Sequence, residues 1–276
     1  MQAAKVKRIK IEHHIIKSVL LQRDVKVDCY LPTNVARPSE MALLLINDGQ
    51  DLPKMPFTDI LDELYGQNSI APLLCVGIHC GEDRKNEYGT AKILDYKERG
   101  AKAAAYTDFV FTELLPFVRK TFMVPSFKEK SFAGFSLGGL SALDIAWNHP
   151  HEFVNVGVFS GSLWWRDKSQ DAPDFDENTD RIMHRQVKEG QYAPWLRFFF
   201  EVGTLDETAD RNNNGIIDAV DDTIGLIDEL ESKGYHRTND IKLLQLDDGR
   251  HDVATWARAF PDFLQWGWGI SKEIDN

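Results

Sequence analysis

Apolar runs typical of buried strands alternate with segments of helical spacing from residue 41 onward. The predicted strands lie at 41–46, 73–78, 131–133, 154–159, 198–202 and 241–246. Residues 101–121 form a predicted amphipathic helix, because Tyr106, Val110, Leu114 and Phe117 recur at helical spacing. Strands that alternate with helices predict an α/β fold, with a mostly parallel central sheet and helices on both faces.

The first 35 residues differ from the rest, because β-forming residues cluster there without an intervening helical pattern. They predict two or three antiparallel strands, at residues 9–11, 14–21 and 25–31. No internal repeat and no low-complexity linker interrupts the sequence. We therefore predict a single domain over residues 1–276, with N-terminal strands at 1–35.

The composition restricts which classes of molecule the protein is expected to bind. The formal net charge is −11, which argues against nucleic acid and anionic membranes. No apolar run is long enough for a membrane span, and the N-terminus has no apolar stretch typical of a signal peptide. Three cysteines, Cys29, Cys75 and Cys80, are too few for a disulfide framework and favour a reducing compartment. We predict a cytoplasmic protein, and the sequence leaves a homo-oligomer open.

A G-x-S-x-G pentapeptide, Gly134 to Gly138, lies between a predicted strand and a predicted helix. A serine on a sharp strand-to-helix turn exposes its hydroxyl, and the flanking glycines avoid clashes in the strained backbone. The turn also aims the following backbone N–H, that of Leu137, at a developing oxyanion. The pattern predicts an α/β-hydrolase fold with Ser136 as the nucleophile. A plain glycine-rich β–α turn is the structural alternative.

The acid and the base are expected after the later strands, since triads in this fold run serine, acid, histidine along the chain. His251 follows the last predicted strand and precedes a helix, whereas His236 lies at a helix end. We predict His251 as the general base. Asp206 follows the preceding strand and is the predicted acid, with Glu207 and Asp210 as the runners-up.

A second oxyanion donor is expected from the loop after an early strand. The turn Asn47-Asp48-Gly49-Gln50 follows the strand at 41–46, which makes the backbone N–H of Gln50 or Asp51 the candidate donor. A tight turn with no catalytic role is the alternative interpretation.

Residues 210–221 match the loop pattern of an EF-hand. Oxygen-bearing side chains occupy the ligand positions, a glycine occupies the sharp turn, and one backbone carbonyl completes the set. In chain order, the predicted ligands are Asp210, Asn212, Asn214, Ile216, Asp218 and Asp221. The pattern predicts a structural calcium ion that orders the loop after Asp206 and takes no part in the chemistry. A loop held by its own Asx turns is the alternative.

Five further residues are predicted to line a substrate pocket, because they follow strand ends. They are Arg84, Glu87, Tyr88, Trp164 and Trp165. For Arg84, Glu87 and Tyr88, the alternative is an ordinary charged surface in contact with solvent. For the two tryptophans, the alternative is a place in the buried core.

At these motifs the chain resembles the esterase D-like or "putative esterase" family of α/β hydrolases. That family includes enterochelin, feruloyl and acetylxylan esterases, S-formylglutathione hydrolases and mycolyltransferases. The matching segments are LLLINDGQD, VGIHCGEDRKNEYG, AGFSLGGLSAL, VGVFSGSLWW, EVGTLDE and DGRHDVATWARAFPDFL. The resemblance implies Gln50 as an oxyanion amide, Asp206 as the acid and His251 as the base. The chain departs from the common Gly-Gly-x-His pattern at Asp248.

These features predict a serine esterase that hydrolyses a small-molecule carboxylic ester through an acyl-enzyme intermediate, without a catalytic cofactor. Two alternatives stay open. One is an acyltransferase on the same triad, and the other is a non-catalytic binding protein on a hydrolase scaffold. All three triad candidates occur in the expected order, which favours an enzyme.

Overall fold

The computed structural model describes residues 8–33, 35 and 40–270 of the chain. Within these residues, eight strands form one sheet. They are β1 (Ile9–Ser18), β2 (Arg23–Pro32), β3 (Ala42–Asn47), β4 (Leu73–Ile78), β5 (Lys130–Phe135), β6 (Asn155–Phe159), β7 (Arg197–Leu205) and β8 (Ile241–Arg250). The predicted N-terminal strands at 9–11, 14–21 and 25–31 correspond to two antiparallel strands, β1 and β2, because β1 covers the first prediction and most of the second. Residues 1–7 and 34 of the segment predicted at 1–35 lie outside the described part of the chain.

The helices connect these strands. They are α1 (Phe57–Gly66), α2 (Arg84–Glu87), α3 (Ala103–Phe109), α4 (Leu115–Thr121), α5 (Leu137–Asn148), α6 (Glu177–Asp180), α7 (Ile182–Glu189), α8 (Asp218–Lys233) and α9 (Val253–Trp268). Two short 3-10 helices, Gly49–Lys54 and Pro150–Glu152, follow β3 and α5. No helix among the described residues is long and apolar enough to cross a membrane.

The sheet order is β1-β2-β4-β3-β5-β6-β7-β8. Strands β1, β2 and β4 pair antiparallel, and every other neighbouring pair, from β4 to β8, is parallel. Parallel strands place their carboxyl ends at one edge of the sheet, and ligand sites form in the crevice outside that edge. The prediction of an α/β-hydrolase fold with a mostly parallel sheet is confirmed.

Both faces of the sheet are covered, as the unbroken apolar runs predict. In β3, Leu43 and Leu45 join one buried core, which α3, α4, α5, α7 and α8 cover. Their neighbours Leu44 and Ile46 point the other way and join a second core beneath α1 and α9. Apolar side chains on both faces explain why β3 and β4 lack the alternation of a half-exposed strand.

The predicted helix at 101–121 is interrupted in the structure. A π-helical turn, Val110–Leu114, separates α3 from α4. Pro116 lies in the first turn of α4 and has no N–H to donate to the preceding turn, which explains the change in hydrogen-bond pattern there.

Two further boundaries differ from the predictions and bear on the site. Helix α8 begins at Asp218 rather than at Thr223, so the end of the EF-hand-like segment is helical. Strand β8 continues to Arg250, four residues beyond the predicted end, because Leu205 and Arg250 pair after an irregularity in β7. His251 therefore follows the strand directly, with no intervening loop.

Candidate active site

Ser136 occupies the turn between β5 and α5, with φ 55° and ψ −122°. A positive φ is strained for any residue with a side chain, by about 1–3 kcal/mol. The two glycines of the motif allow the backbones to approach closely. A Cβ at Gly134 would lie 2.3 Å from the carbonyl oxygen of Gly138, and one at Gly138 would lie 2.5 Å from Asp48 Oδ2. The sequence thus forms a tight elbow, which presents Ser136 at the carboxyl edge of the sheet.

The Ser136 hydroxyl lies beside a second serine that the sequence did not single out. Its Oγ is 3.3 Å from Ser162 Oγ. The Ser162 N–H also donates to the carbonyl oxygen of Ser136, at 3.2 Å, and Ser162 is buried. The available signal was its position three residues after Phe159, the last residue of β6.

The loop after β3 is fastened to the elbow. Asn47 Nδ2 donates to the carbonyl oxygen of Gly138 at 2.8 Å, inside the protein. Leu137 is the first residue of α5, so its N–H has no acceptor within the helix. Gln50 lies in the first turn of a 3-10 helix, in the same situation, whereas the Asp51 N–H donates to Asp48 O. Of the two candidates from the sequence, Gln50 is the one whose backbone N–H has no acceptor within its own helix.

Arg84 supports that loop from the side. Its guanidinium donates to both carboxylate oxygens of Asp48, each at 2.7 Å, and reaches the Phe135 carbonyl oxygen at 3.3 Å. Asp48 is buried and adopts φ 59°, a left-handed conformation. The paired arginine holds this strained turn against the elbow, at Phe135 and Gly138.

Two of the predicted pocket residues lie inside the protein. Tyr88 is fully buried, and its hydroxyl accepts a hydrogen bond from the Asp48 N–H. Glu87 is buried in an ion pair with Arg23 at 2.7 Å. The prediction that Tyr88 lines a pocket is corrected, because this side chain presents no surface to a ligand. Glu87 lines an open cavity beside Arg23, His79 and Cys80, so its pocket role stays a prediction.

The two adjacent tryptophans behave differently. Trp165 is fully buried, which is the core alternative for this residue, so its predicted pocket role is also corrected. Trp164 is half-buried and lines a small cavity at the sheet edge. The Arg99 guanidinium lies 5.0 Å from the Trp164 ring and 5.1 Å from the Trp165 ring, in cation–π geometry.

That cavity, of about 90 Å³, brings the predicted acid and base together. Its lining residues are Ser160, Gly161, Trp164, Asp206, Glu207, Ala219 and His251. The His251 ring packs edge-on against Trp256, with the ring centroids 5.5 Å apart. Protein packed around the ring lowers the pKa of His251, and the nearby Asp206 carboxylate opposes that shift. Both groups therefore face one space above the ends of β7 and β8.

Asp206 is half-buried, and burial raises the pKa of its carboxyl. Within the described residues, neither of its buried oxygens has a hydrogen-bond partner. The runner-up Glu207 faces the same cavity. The other runner-up, Asp210, is engaged elsewhere, because it accepts the backbone N–H groups of Asn214 and Gly215.

A second acid lies beneath Asp206 and was missed by the sequence analysis. Glu201 of β7 is almost fully buried, and its Oε1 has no partner among the described residues. The Ser160 hydroxyl donates to Glu201 Oε2 at 3.4 Å and accepts from Trp256 Nε1 at 2.9 Å. Burial, with the nearby charge of Asp206, raises the pKa of Glu201 to about 8. No sequence pattern distinguishes this glutamate from an ordinary charge at a strand end.

The EF-hand-like segment at 210–221 forms a compact loop. Gly215, at the position of the sharp turn, has φ 85°. The Ile216 N–H donates to Asn214 Oδ1 at 2.7 Å, an Asx turn. Asn212 and Asn214 donate their side-chain amides to Asp221 Oδ2, at 2.9 and 2.8 Å. These polar side chains lie close together because they form hydrogen bonds with one another.

One predicted ligand in this loop has a cationic partner. Asp218 Oδ1 lies 3.3 Å from Arg211 Nη1 and accepts the Arg211 N–H at 2.8 Å. In the part of the chain that the structure describes, no group of three or more His, Cys, Asp or Glu side chains is arranged to hold a metal ion. The oxygen donors that converge here suit a hard cation, but binding through Asp218 requires its separation from Arg211.

A strained serine elbow above a parallel sheet, with a carboxylate and a histidine at the ends of the next strands, is the arrangement of α/β hydrolases that act on esters. A family model described as "Putative esterase" matches residues 18–266, and the chain belongs to that family. It is therefore a member of an esterase family with the α/β-hydrolase fold.

Solved structures of similar fold include an enterochelin esterase and a siderophore hydrolase. The enterochelin esterase of Shigella flexneri superposes with a TM-score of 0.70 at 23% identity, over 96% of this chain and 59% of that one. This chain thus spans about three fifths of that esterase. The siderophore hydrolase EstB of Aspergillus nidulans gives a TM-score of 0.67 at 17% identity, over 95% and 97% of the two chains.

A similar sequence occurs in Bacillus subtilis (strain 168). The uncharacterized protein YjcH is 22% identical over 217 residues, which cover 77% of this chain and 80% of YjcH. At such identities, the solved structures establish the fold and leave the substrate to the site itself.

Proposed function

We propose that the chain is a serine esterase, with Ser136 as the nucleophile, His251 as the general base and Asp206 as the acid. The observation that carries the proposal is the backbone of Ser136, strained at φ 55° on a strand-to-helix turn. Strain of this kind persists only where the surroundings enforce it, and it clusters at functional sites. Here Gly134, Gly138 and the Asp48 turn enforce it.

The reaction follows from these positions. His251 takes the proton of Ser136 as its hydroxyl oxygen attacks the ester carbonyl, and returns that proton to the departing alcohol. The backbone N–H groups of Leu137 and Gln50 donate to the oxyanion that forms. Water, activated by His251, then releases the acid from the acyl-enzyme.

The triad hydrogen bonds tighten with substrate in this proposal. Both oxygens of Asp206 lack partners among the described residues, so they are available to the His251 ring N–H. Catalytic hydrogen bonds are often long in the free enzyme and shorten in the substrate complex. A small movement of His251, which is exposed at one edge, completes the contact.

For the substrate, we propose a small-molecule ester that is bound between Arg84 and Trp164. Both side chains are partly exposed, Arg84 contacts the elbow at the Phe135 carbonyl oxygen, and Trp164 lines the cavity of Asp206 and His251. An aromatic acyl group can stack on Trp164, which is already held by Arg99. The structural relatives that act on siderophores and ferulate esters motivate a test with aryl esters.

The experiment is a substrate panel of acetyl, feruloyl, glutathione thioester and catecholate siderophore compounds. Ester cleavage that is lost in Ser136→Ala supports the proposal. Product analysis with added alcohols separates the acyltransferase alternative, since a transferase forms a new ester in place of the free acid. Binding of a ligand without any turnover would favour the non-catalytic alternative.

We further propose that residues 210–221 bind a structural calcium ion. Support comes from the convergence of Asp210, Asn212, Asn214 and Asp221 around the turn at Gly215. The backbone carbonyl of Ile216 and the carboxylate of Asp218 complete the proposed ligand set. Calcium would fix the loop that follows Asp206, and chelation should lower the melting temperature.

The remaining proposals concern the domain organisation, the cellular location and the oligomeric state. We propose that the chain is one domain over residues 1–276, since the described strands join one sheet. We propose a cytoplasmic location, because Cys29, Cys75 and Cys80 are all free thiols and two of them are buried. Cell fractionation tests the location, and light scattering tests whether the protein forms a homo-oligomer.

A further inference from the structure

The buried end of β7 carries two carboxyl groups where a triad needs one. Glu201 and Asp206 both have buried oxygens without hydrogen-bond partners among the described residues. Two carboxylates that share a site in low dielectric cannot both be ionised at low cost, so one of them retains a proton. Glu201 is almost fully buried, whereas Asp206 is half-buried beside His251, so the proton belongs on Glu201.

Ser160 connects these groups to the base. Its hydroxyl accepts the Trp256 Nε1–H at 2.9 Å, and its single proton lies within reach of both Glu201 Oε2, at 3.4 Å, and the Asp206 carboxyl. Trp256 in its turn packs against the His251 ring. Ser160 has φ 44°, and its N–H donates to the Glu201 carbonyl oxygen at 2.8 Å, which fixes its backbone beside Glu201.

We propose that Glu201 is a positioning residue that remains protonated and donates its proton from Oε1 to the Asp206 carboxylate, which holds Asp206 toward His251. The proposal rests on the triad of the proposed function. No proton is transferred in the reaction by this group. Glu201 acts only through Asp206, with Oε2 anchored by Ser160.

The charged groups around Glu201 are few. Asp206 at the end of its own strand raises the pKa of Glu201, and Arg258 of α9 lowers it to a smaller extent. The neighbouring residues in the sheet, Phe159 of β6 and Leu244 of β8, are apolar. As the pH rises through about 8, Glu201 ionises, loses its donor and repels Asp206.

The test compares two variants of similar volume. Glu201→Gln stays neutral at every pH and retains a donor, so kcat at pH 7 should stay close to the wild-type value. Glu201→Met has no donor, and kcat should fall about tenfold or more with little change in KM, because a displaced catalytic group costs up to about 10²-fold. Wild-type kcat should fall above pH 8, and Glu201→Gln should lack that decline.

Asp144 of α5 provides a matched control. It is a buried carboxyl whose pKa is raised to about 6 by burial, and its partners are the Ala91 N–H, Asn148 and Gln186. Asp144→Asn should leave the alkaline decline unchanged.

A Glu201→Met variant with wild-type kcat, or a Glu201→Gln variant with the wild-type alkaline decline, would overturn the proposal while Ser136→Ala remains inactive. If Glu201→Met does not fold, the profile of Glu201→Gln decides alone. An active Ser136→Ala would overturn the proposed triad itself, and the role of Glu201 with it.

Discussion

The nucleophile side and the acid side of the site are built in opposite ways. At the elbow, five consecutive residues from Gly134 to Gly138 determine the geometry, and backbone contacts under 3 Å would forbid a larger side chain. On the acid side, Asp206, Glu201 and His251 come from two strands, and three carboxylate oxygens there have no partner within the described residues.

The elbow is therefore governed by backbone strain, whereas the acid side is governed by electrostatics. The elbow stores backbone strain that close packing maintains, so its geometry exists before substrate binds. The acid side contains buried carboxyl groups without hydrogen-bond partners. Their burial is unfavourable in free energy until hydrogen bonds form. We therefore expect the elbow to respond to substitution as a rigid unit, and the acid side to respond to pH and to the loop that follows it.

The largest expected effect is on the rigid side. Ser136→Ala should reduce kcat by about 10⁴-fold or more, since the nucleophile is lost while the oxyanion donors remain. Ser162→Ala should cost far less, because it removes one neutral hydrogen bond worth about 1 kcal/mol. Steady-state kinetics on the best ester, with circular dichroism to verify folding, provide the measurement. A Ser136→Ala enzyme with a tenth of wild-type activity contradicts the assignment.

The next effect tests the acid side. Asp206→Asn should reduce kcat by up to about 10⁴-fold, because the amide favours the wrong imidazole tautomer. The matched variant Glu207→Gln lies in the same cavity and should keep most of the activity. Equal losses in both variants would mean that the two carboxylates share the role, and a larger loss in Glu207→Gln would reverse the assignment.

The pH dependence should show the environment of the base. His251 must be neutral to accept a proton, and packing lowers its pKa below the ordinary histidine value. Activity should therefore persist somewhat below pH 6.5, an ordinary histidine pKa, and decline at lower pH. The acid limb of kcat/KM measures this directly. A limb centred above pH 7 would indicate that the attraction of Asp206 outweighs desolvation.

The smallest effect on activity is expected in the loop at 210–221. Calcium that binds only the folded protein adds about 2.7 kcal/mol of stability at 100 times Kd. Chelator should lower the melting temperature, and Asp210→Ala should remove the response with a modest loss of kcat. Asp228→Ala, on an exposed part of α8, is the control. A melting temperature that is insensitive to calcium in metal-free protein favours the Asx-turn interpretation.

The sequence predicted what depends on local pattern. The parallel strands follow from apolar runs and the elbow from a short motif, and the sheet order and the backbone of Ser136 agree with them. The roles of Asp206 and His251 stay predictions. It failed where neighbours in space decide. The polar segment after β4 looked like a pocket wall, yet Glu87 and Tyr88 are internal because Arg23 and Asp48 pair with them.

The sequence analysis also did not predict which polar groups are buried. Glu201 reads as an exposed charge at a strand end, and only the packing of α9 and the β6 end against it makes it internal. The start of α8 at Asp218 was missed because Asn and Asp residues are poor helix formers, and tertiary contacts such as Arg211 with Asp222 override that preference.

An activated nucleophile at Ser136 is the centre of the proposed mechanism, and covalent labelling tests it directly. Native protein is treated with a fluorophosphonate, digested, and examined by peptide mass spectrometry. We expect one adduct, on Ser136, with slower labelling in His251→Ala and none in Ser136→Ala. An active enzyme that is labelled at another residue, or that remains unlabelled, would contradict it.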